Sequence, residues 1–301
     1  MEVQVLSNCD EHMTININIH EAIGKEIVVG AFTMKRITPD QVNPTLTDMF
    51  DISMPTGIRA LAVLAGGNNG KIFTDNLEHP RWVFVWEADD GTLYRGGEYD
   101  RDVLAKVIGL LRQEGIVALG FRDGDSTVDL FPPDPEAGAE CLEFDRPIGA
   151  SDLSPFLDKT PAGDKIHRMD KTLWEHSPRR NESLNRYGSV DNFLDRGMAV
   201  CITYENETVC EAFADMEIMG MREIGIRTES AHRKKGLATI ACAHLIKLCE
   251  EAGAGAYWDC VKSNAGSIAL AHKLGFQNKK AYKLLAWFKL REQVSIAIRA
   301  T

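Results

Sequence analysis

The sequence predicts an α/β (α+β) chain of two domains, each a mixed, mostly antiparallel sheet flanked by helices. Three observations carry this. The chain has 301 residues with 44% hydrophobic content, ample for two cores. Short runs alternate apolar and polar residues between Gly, Asn and Asp turns, as antiparallel strands do. From Glu223 to Ala238 the period then changes from two to between three and four, so a strand runs into a helix through a basic turn.

From the start, Met13, Ile15, Ile17 and Ile19 alternate with polar residues as one strand face. Arg59–Leu64, Gly70–Thr74, Trp82–Glu87 and Thr92–Gly96 read as successive strands, with Trp82 and Trp86 as core. Val103, Val107, Leu110 and Leu111 stripe a helix that Gly115 stops, ahead of a strand through Val117, Leu119 and Phe121. Proline and glycine between Arg146 and Gly163 place a boundary near 150, giving domains 1–150 and 151–301. A helix is expected over 164–176 and another over 190–194 with Ser189 as N-cap, then a hairpin of 198–204 and 208–215. The strand at Glu223 extends that hairpin. The helix after it runs to Gly253, a strand follows from Gly255 to Cys260, and a last strand covers 280–288. The tail from Glu292 to Thr301 is ambiguous between a short strand and a frayed end.

Composition excludes several classes. No apolar run approaches a membrane span, and the first ten residues lack a signal peptide's basic start and apolar core, so a cytoplasmic protein is expected. Seven cysteines without zinc spacing read as buried thiols, with no metal. A net charge of −10 argues against nucleic acid, and the local cations His232, Arg233, Lys234 and Lys235 suit a small polyanion. Arg233 to Gly236 leads into a helix start, where orphan N–H groups and the positive end of the dipole favour an anion, and Gly236 has no Cβ to hold a phosphate off.

Arg233-x-x-Gly236-x-Ala238 resembles the pyrophosphate loop of the GNAT superfamily of acyl-CoA N-acyltransferases. Asn264-x-x-Ser267-x-x-Leu270-Ala271-x-Lys273-Leu274-Gly275-Phe276 resembles that family's second cofactor-side motif. With Ala212-Phe213-Ala214, Glu223-Ile-Gly-Ile226 and Trp258-Asp-Cys260, the full length looks similar to a bacterial two-domain subgroup that includes the zwittermicin A resistance acetyltransferase. The resemblance implies two GNAT-like domains, the second an acetyl-CoA-binding core, and direct acetyl transfer to a small-molecule amine in a ternary complex. It implies cofactor contacts from Ile226, Arg227 and Thr228 on the strand, from Arg233, Lys234, Lys235, Gly236, Leu237 and Ala238 at the turn, and from Asn264 and Ser267.

Glu223, a carboxylate on that strand, is the candidate base, with Glu211 as the fallback. The family's thiolate-protonating tyrosine falls at Ala271, leaving Ser267, His272 or a bound water as the acid, or a thiolate that departs without one. The resemblance implies that helices in this position overhang the acceptor pocket, which makes Trp174, His176, Arg179 and Tyr187 candidate acceptor contacts, with Glu211 beside them. In the first half, Glu98, Asp100 and Asp102 occupy the corresponding turn. Carboxylates there oppose a pyrophosphate, so this half reads as a degenerate copy without a cofactor site. The alternative reading is a non-catalytic acyl-CoA sensor, and pairing into a homodimer is left open.

Overall fold

A computed structural model describes residues 26–29, 32–50, 53–131, 135–159 and 163–288. The strand expected at Met13–Ile19, Cys9 and the tail after 288 lie outside the described residues. Strands β1 (Glu26–Val29), β2 (Phe32–Ile37), β3 (Gly70–Thr74), β4 (Trp82–Glu87) and β5 (Leu93–Gly97) form an antiparallel five-stranded sheet in sequence order. Helices α1 (Pro44–Asp48) and α2 (Gly57–Leu64) lie between β2 and β3, and α3 (Arg101–Leu111) leads to β6 (Val117–Phe121).

The stretch Arg59–Leu64, read as a strand, is helix α2. Its Ala and Leu residues are strong helix formers, and a short apolar run gives no period that separates the two states. The helix is buried on two sides, Ala60, Val63 and Leu64 packing in one cluster and Ile58 and Ala62 in another, with Arg59 one turn before Val63.

The second sheet has eight strands in the order β6-β13-β7-β12-β11-β10-β9-β8. They are β7 (Ala137–Arg146), β8 (Asp164–Arg168), β9 (Met198–Tyr204), β10 (Glu207–Ala214), β11 (Met221–Thr228), β12 (Gly255–Val261) and β13 (Gln277–Trp287). All described pairings are antiparallel except β11 with β12. Helix α4 (Ser154–Leu157) follows β7. Helices α5 (Lys171–Glu175), α6 (Arg180–Tyr187) and α7 (Val190–Arg196) lie between β8 and β9, α8 (Leu237–Glu251) follows β11, and α9 (Ala265–Lys273) follows β12. The helix expected over 164–176 is therefore half strand. Asp164–Arg168 pairs with β9, and Asp170 then caps α5 by accepting from Leu173 N–H at 2.8 Å. Cys201 and Cys210 do not face each other across the hairpin, because a register shift between Thr208 and Cys210 sets Glu211 opposite Cys201 and Cys210 opposite Ile202. Both cysteines are free and buried.

Each half repeats one order: antiparallel strands, a helix, and a strand parallel to the last. In the first half, Thr92, just ahead of β5, makes an isolated parallel bridge to Ala118 of β6; in the second, β11 and β12 pair in parallel over Met221–Glu223 and Gly255–Tyr257. The halves share strands. β7, which precedes residue 150, lies between β12 and β13, and β13 continues onto β6 of the first half. Arg146 ends β7 with its guanidinium fully buried, donating to Leu274 O at 2.7 Å and to Glu250 at 2.5 Å. Cutting the chain at 151 strips β12 and β13 of this partner and leaves apolar Trp258 and Tyr282 beside bare strand edges. Residues 151–301 alone are expected to aggregate, read by size-exclusion chromatography. A monomer with a cooperative melt would show that β7 is dispensable.

Candidate active site

Beyond Glu223 and Tyr257 the paired register of β11 and β12 ends, and the two strands open into a V. Asp215 N–H donates to Glu223 O at 3.1 Å and Glu229 N–H to Val209 O at 2.9 Å. Antiparallel residues alternate the direction of their backbone groups, so Glu223, Gly225 and Arg227 address β10, while Ile226 and Thr228 present N–H and C=O to the gap. That is a backbone edge fit to hydrogen-bond an extended amide chain.

At the wide end, Lys234 (φ 61°) and Gly236 (φ 85°) take left-handed conformations and turn the chain into α8. No side chain caps that helix start, and a Cβ built on Gly236 meets nothing within 4 Å, so room exists over its first-turn N–H groups. Arg233, Lys234 and Lys235 are exposed there, and Arg233 Nε donates to Thr228 O at 3.0 Å, bracing the turn. On the opposite wall Asn264 caps α9 by accepting from Ser267 N–H at 3.1 Å, and Ser267 Oγ accepts from Trp258 Nε1 at 3.0 Å. Ala271 is fully buried against the sheet, so this helix presents no hydroxyl at that position.

The equivalent opening in the first half is closed. Asp100 caps α3, accepting from Val103 N–H at 2.9 Å, so a carboxylate already occupies the place an anion would take. Arg95 reaches from β5 across to β6, lying over Phe121 and Phe131 and pairing with Asp125 at 2.9 Å. A Cβ on Gly120 would stand 2.7 Å from Pro55.

At the apex of the second V, Arg59 from α2 forms a fork with Glu223, Nε to Oε2 at 2.7 Å and Nη2 to Oε1 at 2.5 Å, and its Nη2 also meets Asp259 at 2.7 Å. Arg186 of α6 approaches the same Glu223 oxygen at 3.3 Å and pairs with Asp215 at 2.7 Å. Glu223, the expected base, is buried in the structure with both carboxylate oxygens accepting from guanidinium groups. Tyr187, an expected acceptor contact, is likewise buried and donates its hydroxyl to Asp215 at 2.6 Å. Trp174 packs with Met169, Phe193 and Cys201, its ring nearly enclosed. His176 bonds its own helix at Thr172 O, and Arg179 pairs with Glu182.

Glu211 is different. It is 6% exposed, and its Oε1 has no hydrogen-bond partner. Burial pushes its carboxyl above the usual range, while the Ser177 hydroxyl and Arg179 pull the other way.

Sequence reasoning missed Arg59, Arg186, Asp215 and Asp259. Arg59 sat in a stretch read as a strand, and the acidic ends of β10 and β12 had no visible partners. Among the described residues no group of three or more His, Cys, Asp or Glu is arranged to hold a metal ion. Nor is any helix there long and apolar enough to cross a membrane.

Glu87, at the end of β4, is fully buried in the same cluster. Burial, with Asp90 and Glu223 adding to it against Arg59 and Arg186, raises its pKa from an ordinary 4.5 to about 8. A carboxyl raised in the fold contributes stability that is complete below 4.5 and is lost as pH rises through about 8. Across that window the loss runs at about 1.4 kcal/mol per pH unit. Glu87→Gln should flatten this slope in denaturant titrations at pH 5 to 8. An unchanged slope would place the titration elsewhere.

Comparisons with known proteins agree with this architecture. Residues 138–285 match the family of GNAT acetyltransferases. An uncharacterized N-acetyltransferase of Bacillus subtilis (strain 168), YdfB, is 31% identical over 126 residues, 41% of this chain and 48% of that protein. The chain thus spans about half the length of the curated relative it matches. A GCN5-related N-acetyltransferase-like protein from Streptococcus suis 89/1591 superposes with a TM-score of 0.60 at 21% identity, covering 82% of this chain and 99% of that one. A tandem GNAT protein from the clavulanic acid biosynthesis pathway superposes at 0.54 with 11% identity, covering 86% and 99%. The splayed strands, the basic turn and the matched segment define a GNAT acetyltransferase fold in the second half. Residues 138–285, just under half of the chain, are thus similar to the GNAT acetyltransferase family, and the eight-stranded sheet that this segment builds takes in β6 from the first half.

Proposed function

We propose that the protein transfers the acetyl group of acetyl-CoA to the amine of a small molecule by direct attack within a ternary complex. The observation that carries this reading is the V of β11 and β12, whose open backbone edge leads straight to an uncapped helix start beside Arg233, Lys234 and Lys235. Ile226, Arg227 and Thr228 would hold the pantetheine arm, with the Ile226 amide placed to stabilise developing oxyanion charge. Residues 233 to 238 would take the pyrophosphate, and Asn264 and Ser267 would flank the opposite side. Ser267 is the hydroxyl offered to the departing thiolate. The acceptor would enter over the half-buried ring of Phe213, which lies across Gly225 so closely that a Cβ there would stand 2.0 Å from it. A small-molecule acceptor fits a site bounded by both halves.

The full-length protein, given acetyl-CoA and a panel of primary amines (polyamines, aminoglycosides, amino acid amides), should release free thiol in an amine-dependent way. A second reading, a non-catalytic acyl-CoA-binding module, is favoured by Ala271 in place of a hydroxyl-bearing residue. Calorimetric binding of acetyl-CoA without thiol release from any amine would decide for it.

A further inference from the structure

We infer that Glu211, and not Glu223, takes the proton from the incoming ammonium group of the acceptor. This rests on the acetyl-transfer reading above and assigns the residue that readies the nucleophile. The two carboxylates lie on the same face of adjacent strands. β10 and β11 pair Glu211 with Arg227 and Phe213 with Gly225, so Glu211 stands beside the stretch of β11 whose Ile226 and Thr228 backbone faces the V. Glu223 is spent on the Arg59 fork and on Arg186. Glu211 has 6% exposure and an Oε1 that no donor satisfies, a state that costs free energy unless a ligand donor meets it.

Its neighbours on every side suit the task. Ser177 bonds the carboxylate and also accepts from Arg179 N–H at 2.9 Å, fixing the group from the α5–α6 link. Arg179 and Glu182 face it from α6, Glu229 from the end of β11 and Cys201 from β9; the Arg227–Glu182 ion pair at 2.8 Å closes that side, half-exposed. The carboxylates of Glu182 and Glu229 are matched by Arg179 and Arg227, and burial, the largest effect, favours the protonated form, so the group accepts a proton more readily than an exposed glutamate.

In the step, the ammonium proton moves to Glu211 Oε1 and leaves a neutral amine. The nitrogen lone pair forms the bond to the acetyl carbon, the C–S bond breaks, and its electron pair leaves on sulfur. The sulfur takes the Ser267 hydroxyl proton to give the free thiol, the second proton on the nitrogen of the tetrahedral species restores that hydroxyl, and Glu211 returns its proton to water.

The test uses the full chain, acetyl-CoA, and two amines: a strongly basic one from the panel and weakly basic 2,2,2-trifluoroethylamine, which is already neutral at neutral pH. Glu211→Gln should lower kcat/KM by about a hundredfold with the first, flatten its acid limb, and cost far less with the second, while acetyl-CoA affinity holds. Equal losses with both amines, or no loss with either, would overturn the assignment. If the wild-type protein releases thiol with neither, the acetyl-transfer reading itself fails. An infrared titration needs no acceptor: the wild-type minus Glu211→Gln difference should contain a carboxyl band titrating above the ordinary glutamate range, and its absence would equally overturn the assignment.

Discussion

Replacing Arg59 by alanine is expected to destabilise the protein by about 3–5 kcal/mol, the typical cost of removing one partner from a buried ion pair. The Arg59 side chain is 11% exposed and meets Glu223 at 6% and Asp259 at 17%, so its loss leaves two enclosed carboxylates without their shared guanidinium, Glu223 keeping Arg186 and Asp259 keeping the Tyr282 hydroxyl. Burial already holds Asp259 above the usual carboxylate range against the pull of Arg59. Without that pull the folded carboxyl rises further, and because a raised group loses its stabilising contribution as pH rises, the deficit of the variant should widen from pH 5 to pH 8. A companion Arg59→Met, Glu223→Gln protein, which removes charge from both sides, should recover a substantial part. Chemical denaturation of the three proteins checks this, and a single variant within about 1 kcal/mol of wild type would mean that water, not Arg59, neutralises the cluster.

Gly236→Val should abolish measurable acetyl-CoA binding. The space above Gly236 is open in the protein alone, so the valine Cβ meets no protein atom; it would instead fill the room over the first-turn amides of α8. The φ of 85° adds backbone strain for any L side chain, most for a β-branched one, so the melt should also fall modestly. Gly236→Ala separates the two effects, carrying most of the backbone cost with a smaller obstruction. Isothermal titration with acetyl-CoA is the measurement; wild-type affinity in the valine variant would exclude this turn from the binding site.

Much of this arrangement was written locally in the chain. Turn signals between short apolar runs placed β3, β4, β6, β9 and β10, alternation placed β11, the change of period placed α8, and Ser189 capped α7 as its type suggests, accepting from Asn192 N–H at 3.1 Å. The basic turn and Gly236 carried their conformation in their own residue types. What stayed hidden was non-local. Arg59 finds Glu223 across 164 residues of sequence, and no periodicity encodes such a partner. β7 ends in an inward Arg146 whose burial makes sense only beside Glu250 and the Leu274 carbonyl. Glu223 and Glu211 look interchangeable as strand carboxylates until α2 and α6 deliver their guanidinium groups to one and leave an oxygen of the other unpaired.

The sharing of β13 between the halves has a consequence for synthesis. β6 is complete once Phe121 has been made, yet its partner edge belongs to Lys283–Trp287, near the end of the described chain. At roughly 5–20 residues per second, a ribosome leaves that apolar edge waiting for about 10–30 s. During that interval the emerging first half exposes Val117-Ala-Leu-Gly-Phe121 as a ready template for another strand. Strands β12 and β13 close onto β7 only at the end, so the sheet that carries the V is finished by the last strand to leave the ribosome among those described.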